Sequence, residues 1–451
     1  MAKKETPAKR LKSALKSARN GKGAEKKVRP KPKKKTADGV SPLAPKTLAD
    51  LPEIGGVALA SGHTATKYKK RDDLMVAVMA PGTAAAGVFT TSKTASASVE
   101  WCRSNLSDQG EGRVLVVNAG NANAFTGKAG VASVKATAAA AASAVGCRQK
   151  DVFVASTGVI GEVLDPDPVV KTMLPAFERA TNGQAGGDQW ERVARAIMTT
   201  DTYPKLATRT AMIGDTKVTL NGIAKGSGMI APDLATMLSF IFTDAAISQN
   251  ALQTLLSLGV RDSFNSITVD SDTSTSDMVL AFATGAAGGT AVQRAGDPRL
   301  RDFRAQLHDL MLDLAHQVVR DGEGASKFVE INVSGGASYA AARRIALAVA
   351  NSPLVKTAIA GSDANWGRIV MAVGKAGEEA NRDKLAISIG GIEVAKQGVA
   401  VADYDEAPVA RHMKGRKIDI DIDVGVGKAR ATVWTCDFTY DYIRINADYR
   451  S

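Results

Sequence analysis

The chain has 451 residues, of which 45% are hydrophobic and 23% charged, a balance that supports a full apolar core. No stretch approaches the roughly 20 uninterrupted apolar residues of a membrane span. The three cysteines, Cys102, Cys147 and Cys436, are scattered and odd in number, which suits a reduced cytoplasm better than a disulfide framework or a metal site. The net charge of +12 lies in the first 46 residues, where 16 Lys/Arg face three acids; the other 405 residues carry 42 basic and 43 acidic side chains. The folded part is therefore neutral and lacks the basic face that nucleic-acid binding requires.

Residues 1–46 include Lys33-Lys34-Lys35 and five prolines, and are too polar and self-repelling to build a core. They read as a disordered basic extension; a weak anion tether and an organelle transit peptide are the other readings, although Lys far outnumbers Arg. Folding is expected to begin near Leu51, with strands over 54–60, 74–79, 88–91 and 112–117. The last of these runs into Asn118-Ala119-Gly120-Asn121-Ala122-Asn123-Ala124, a small-residue loop before an alanine-rich helix over 130–145. Strand, loop and helix in that order bring loop amides to a ligand, or else make a tight turn. A further strand over 151–155 ends in Ser156-Thr157-Gly158, where a hydroxyl and a glycine N–H stand together, as in an oxyanion hole or a plain turn.

After a helix over 189–197 comes Met198-Thr199-Thr200-Asp201-Thr202-Tyr203-Pro204-Lys205, a threonine cluster of the kind that also caps helices. The centre of the chain is Lys225-Gly226-Ser227-Gly228-Met229-Ile230-Ala231-Pro232-Asp233-Leu234-Ala235-Thr236, followed by an apolar strand over 237–243. Glycines free the backbone and Pro232 fixes φ on the approach to Thr236, which sits at the seam of loop and strand. Such a threonine either caps a backbone group or attacks the preceding carbonyl. In the second case the chain breaks between Ala235 and Thr236, and the new α-amine, which titrates near ~8, serves the hydroxyl as a built-in base.

Downstream, Ser248 is expected to cap a helix through Val260, and Asp270-Ser271-Asp272-Thr273-Ser274-Thr275-Ser276-Asp277 invites a metal-loop reading. That reading fails for lack of the Gly and terminal Glu of an EF-hand. An amphipathic helix carries Phe303, Leu307, Leu310, Leu314 and Val318, with His308 and His316 too far apart to chelate one ion. Glu323 follows it between two glycines, exposed to any ligand. Strands over 417–424 and 429–434 read as an antiparallel ending.

The run from Lys225 to Leu238 resembles the self-cleavage signature of the glutamate N-acetyltransferase (ornithine acetyltransferase, ArgJ) family. The elements at 118–124, 270–277, Asp363-Ala364-Asn365-Trp366-Gly367-Arg368 and the carboxyl terminus agree with it, from about Leu51 to Ser451. The resemblance implies a DmpA/ArgJ-like α/β fold of layered sheets flanked by helices, similar in layout to the amino-terminal nucleophile hydrolases but differently connected. It divides the chain into a tail (1–46), an α chain (47–235) and a β chain (236–451), and implies a heterotetramer of two of each. Thr236 would be the nucleophile, Thr157 and Gly158 the oxyanion hole, and Thr202, Lys225, Thr236, Glu323, Asn446 and Ser451 the substrate contacts. The implied reaction moves acetyl from N-acetylornithine to glutamate in the cytoplasm, without metal or organic cofactor, and leaves acetyl-CoA open as a second donor. A self-processing aminopeptidase or amidohydrolase of similar fold is the alternative, and a nucleic-acid role through the tail alone a remoter one.

Overall fold

A computed structural model describes residues 39–183, 188–231, 237–402 and 404–447. Ala235, Thr236 and Ser451, and the tail through residue 38, lie outside the described residues.

Two sheets lie face to face. The first is ordered β1 (Val57–Gly62), β2 (Leu74–Met79), β4 (Val114–Asn121), β5 (Val152–Val159), antiparallel except for the parallel β4–β5 pair. The second is ordered β3 (Ala84–Phe89), β9 (Met278–Ala283), β8 (Leu238–Thr243), β7 (Thr216–Lys225), β6 (Lys205–Ile213).

Strand alternation explains why the central strands read as unbroken apolar runs. In β2, Met75, Ala77 and Met79 point into the space between the sheets, while Leu74 and Val76 point outward. There they meet helices α2 (Gly127–Val145) and α3 (Pro166–Thr181). In β9, Met278, Leu280 and Phe282 face the first sheet, and Val279, Ala281 and Ala283 face helices α5 (Gln249–Arg261) and α6 (Arg301–Arg320). Both faces of each sheet are covered, so neither has a polar side.

The sparse aromatics concentrate between the sheets. Phe282 meets Phe153 edge-on at 5.6 Å and stacks on Phe242 at 5.4 Å, and Phe242 meets Trp190 at 5.6 Å. Trp190 lies on helix α4 (Gln189–Ala196). Helix α1 (Ala97–Ser107), capped by Ser96, packs along the edge of this core.

A third sheet, ordered β13 (Val399–Ala400), β12 (Ile392–Lys396), β11 (Ala386–Ile389), β14 (Lys417–Asp423), β10 (Phe328–Gly336), β15 (Ala429–Cys436), forms a separate lobe. Helices α7 (Tyr339–Ala350), α8 (Pro353–Ala360), α9 (Trp366–Gly374) and α10 (Glu406–Met413) cover one face of it, with Trp366 half-buried against that core. The ending expected as an antiparallel pair is built otherwise. β10 lies between β14 and β15, parallel to the first and antiparallel to the second. Alternation marks a half-buried strand but does not name its partner. His316 of α6 joins this lobe to the second sheet, with Trp434 at 4.6 Å and Phe328 at 5.2 Å. Burial there takes its pKa down to about 3, so it is a neutral core histidine.

The boundary drawn at residue 46 falls within a packed strap. Leu43 packs against the second-sheet core, the Ser41 hydroxyl donates to Arg320 O at 2.6 Å, and Arg416 donates to Pro42 O. Among the described residues no helix is long and apolar enough to cross a membrane.

Phe282 is the ring on which the facing sheets meet. Phe282→Ala should cost about 3–5 kcal/mol and lower the unfolding midpoint by several degrees in a thermal scan. A midpoint within one degree of the parent, at about 1 kcal/mol or less, would show that the sheets are not joined through this ring.

Candidate active site

Strand ends and loops enclose a cavity of about 270 Å³, the size of a small metabolite, lined from segments far apart in the chain. The first is the β4–α2 loop and the end of β5. Gly120 (φ 104°) and Gly158 (φ 131°) are register partners across β4 and β5. A Cβ on Gly158 would sit on the backbone of Gly120, so no other residue fits. The buried Thr157 and this glycine both line the cavity, beside Ala122 and Ile160.

Each asparagine of the small-residue loop has a definite task. Asn118 accepts from the Ser156 hydroxyl at 2.6 Å and donates to Asn121 O at 2.9 Å, bracing β4 against β5. Asn121 accepts from Asn123 N at 2.7 Å, and the fully buried Asn123 donates to Gly130 O at 3.0 Å. The loop is thus fixed by its own amides at the point where Ala122 meets the cavity.

The second segment is 199–205. Thr199 and Thr200 line the cavity, and Thr200 shares a hydrogen bond with Ser227 at 2.7 Å. Thr202, expected to hold substrate, lies behind them and is not among the lining residues. Its amide and hydroxyl both donate to Asp321, and its oxygen accepts from Ser41 N at 2.9 Å. Nothing in the sequence separated the three threonines; only the turn of the chain does.

Lys225, the last residue of β7, enters the cavity almost wholly buried and donates to Thr199 Oγ1 at 3.3 Å. Burial pulls its pKa down, Asp201, Asp277 and Glu323 hold it up, and Lys205 adds to the lowering. The glycine loop after it is pinned by the acidic run. Asp270 accepts from Met229 N at 2.6 Å and from Ile230 N at 2.8 Å. Burial raises the Asp270 pKa against those amides. The same run contributes Ser274 and Ser276 to the lining, two hydroxyls with no role expected from the sequence. Among the described residues no cluster of three or more His, Cys, Asp or Glu could hold a metal ion.

Glu323 supplies the anionic wall. Its amide donates to Ser227 O at 2.9 Å, and its carboxylate accepts from Asn446 Nδ2 at 2.6 Å. A Cβ on Gly228 would fall within that carboxylate, so the glycine leaves the space Glu323 occupies. Asn446 ends helix α11 (Tyr440–Asn446), which is tied down at both sides. Thr439 donates to Gly324 O at 2.7 Å, and the Tyr442 hydroxyl donates to Asp270 at 3.2 Å. Thr157, Gly158, Lys225, Glu323 and Asn446 are therefore brought together, and Thr202 stands one layer back.

A buried cation, a buried carboxylate and a hydroxyl–glycine pair around a cavity of this size make a site for group transfer on a small charged molecule. The chain belongs to the ArgJ family, whose model matches residues 58–451. It is 57% identical over 418 residues to the arginine biosynthesis bifunctional protein ArgJ of Bradyrhizobium diazoefficiens, covering 92% of this chain and 100% of that one. The protein of the same name from Nitrobacter winogradskyi is also 57% identical, over 91% of this chain and 99% of its own. A solved ArgJ structure from Bacillus halodurans is 40% identical over 45% of this chain and 95% of its own, with a TM-score of 0.44. The protein is thus an acyltransferase of arginine biosynthesis, and the aminopeptidase alternative is set aside.

Gly228→Ala tests the anionic wall. The clash is with the flexible end of a side chain, so the fold should survive with a near-parental unfolding midpoint. The displaced carboxylate should lower kcat/KM about ten- to a hundred-fold. Unchanged kcat/KM would remove Glu323 from the site.

Proposed function

We propose that the protein is a self-processing ornithine acetyltransferase whose nucleophile is Thr236. The Thr236 hydroxyl attacks the Ala235 carbonyl, the chain shifts from amide to ester, and water releases fragments 1–235 and 236–451. The freed α-amine then takes the hydroxyl proton as Thr236 attacks the acetyl carbonyl of N-acetylornithine. Ornithine leaves with that proton; the neutral amine of glutamate then attacks the acetyl-threonine ester, giving a proton to the Thr236 α-amine, which returns it to Oγ as the ester bond breaks. Thr157 and the Gly158 N–H stabilise the oxyanion of each tetrahedral intermediate.

The observation that supports this reading best is the pairing of the Lys225 ammonium with the Glu323 carboxylate on separate walls of one small cavity. An amino acid brings a carboxylate for the first and an ammonium for the second, and both pairs strengthen out of water. Thr202 acts from behind the wall, and Ser451 closes the site with Asn446. The reaction needs no metal or organic cofactor in this scheme. The relatives' name, bifunctional, favours a second activity with acetyl-CoA as donor. We further infer a heterotetramer of two α and two β chains working in the cytoplasm.

Mass spectrometry of the purified protein, with and without N-acetylornithine, tests the scheme. It should find the two fragments, an acetyl group on Thr236 with donor alone, and a single chain for Thr236→Ala. A fully active enzyme with an intact Ala235–Thr236 bond would sink it. Initial rates should give parallel double-reciprocal lines, whereas converging lines would mean direct transfer between bound substrates.

Deleting residues 448–451 should lower kcat/KM about ten- to a hundred-fold while cleavage proceeds. Unchanged kcat/KM for both amino acids would strike Ser451 from the site.

A further inference from the structure

Behind the cavity wall lies an ion cluster with no access to solvent. Lys205 Nζ donates to Asp201 Oδ1 at 2.6 Å, to Asp321 Oδ2 at 2.7 Å and to Tyr203 O at 3.3 Å, and all three charged side chains are fully buried. An ammonium has three protons, so Lys205 has none left for a ligand.

Each carboxylate holds a different wall. Asp201 also accepts from Gly226 N at 2.6 Å, next to Lys225, and from Thr199 N at 2.9 Å. Asp321 accepts from Thr202 N at 2.9 Å and lies two residues before Glu323. Ser41 covers the cluster by donating its amide to Thr202. A buried ion pair is seldom more stable than an apolar replacement, so this one is better explained by the geometry it imposes.

We propose that Lys205, bridging Asp201 and Asp321, is the positioning residue that fixes the span between the Lys225 and Glu323 walls and so selects substrates by the distance between their charges. This rests on the zwitterion reading above. The cluster also sets charge. Burial would lower the Lys205 pKa, but Asp201 and Asp321 outweigh that and raise it. Burial likewise opposes ionisation of Asp201, yet Lys205, Lys225 and the Gly226 amide hold its pKa well below the ordinary range. Asp201 in turn favours the charged form of Lys225, together with Asp277 and Glu323 and against Lys205.

The test uses the full chain and three variants, Lys205→Met, Asp321→Asn and Asp201→Asn, with glutamate, aspartate and 2-aminoadipate as acceptors. These acids differ by single methylenes between the α-ammonium and the side-chain carboxylate, the one Lys225 would hold. In Lys205→Met, and more mildly in Asp321→Asn, KM for glutamate should rise about tenfold with kcat changed less than threefold. The preference for glutamate over its homologues should shrink by a similar factor. In Asp201→Asn the alkaline limb of kcat/KM should move down by about one pH unit, because Lys225 loses a neighbour that keeps it protonated. In Asp321→Asn that limb should stay in place.

If Lys205→Met does not fold, the two asparagine variants carry the decision. Parental acceptor selectivity in Asp321→Asn, or equal loss of kcat for all three acids with unchanged KM, would overturn the proposal and leave a purely structural cluster. An unshifted limb in Asp201→Asn would overturn its electrostatic half. Failure of the parent enzyme to acetylate glutamate would instead sink the functional reading on which this rests.

Discussion

Bringing a charged ligand out of water is expensive unless the charges that replace its hydration are already in place and themselves satisfied. This constraint organises the site. Lys225 is nearly inaccessible, yet three carboxylates face it; Glu323 is buried, yet held by an amide of the carboxyl-terminal helix. Neither could be buried alone. Behind them a second set of charges, Lys205 between Asp201 and Asp321, makes the arrangement rigid.

The glycines serve the same end by a steric route. Gly158 lets β5 press against Gly120, Gly228 leaves room for Glu323, and Gly324 admits the backbone of residues 441 and 442. Side chains at these positions would hold apart elements that must meet for the charges to share one cavity. Backbone amides do the rest: those of Met229 and Ile230 are held by Asp270, and that of Gly226 by Asp201.

Much of this was legible in the sequence, but unevenly. The buried runs of β2 and β8 announced themselves because both faces of each strand are covered. Thr157, Gly158, Lys225, Glu323 and Asn446 were marked by motifs. β6 went unread because its Lys, Arg, Thr and Ala carry no clear alternation, and β9 because its short apolar run adjoins the acidic, hydroxyl-rich loop, so tertiary pairing decided both. The distinction between Thr200 at the cavity and Thr202 behind it depends on a turn set by Asp201 and Asp321, which lie 120 residues apart. The acidic run at 270–277 was legible as chemistry but not as purpose. Asp270 holds the Met229 and Ile230 amides while Asp277 acts on Lys225, and only the fold shows either.

The topology also bears on the chain break that the proposed function requires. β7 ends at Lys225 and β8 begins at Leu238, and the two strands pair antiparallel from Leu220↔Thr243 to Lys225↔Leu238. The proposed cut between Ala235 and Thr236 thus lies between two strands that pair with each other, with β7 before it in the chain and β8 after it. Both new ends would stay anchored in one sheet by neighbouring ladders. At the far side of that sheet β3, from the amino-terminal half, pairs along its whole length with β9 from the other half. The rings of Phe153 and Phe282 meet across the same divide. A precursor could therefore fold, complete the cavity from its distant segments, and only then break its chain without losing the cavity. The order matters physically. The hydroxyl–glycine pair on β5 and the glycine loop after β7 line one cavity only when the sheets are assembled, so cleavage chemistry would be available to the folded chain and withheld from the unfolded one.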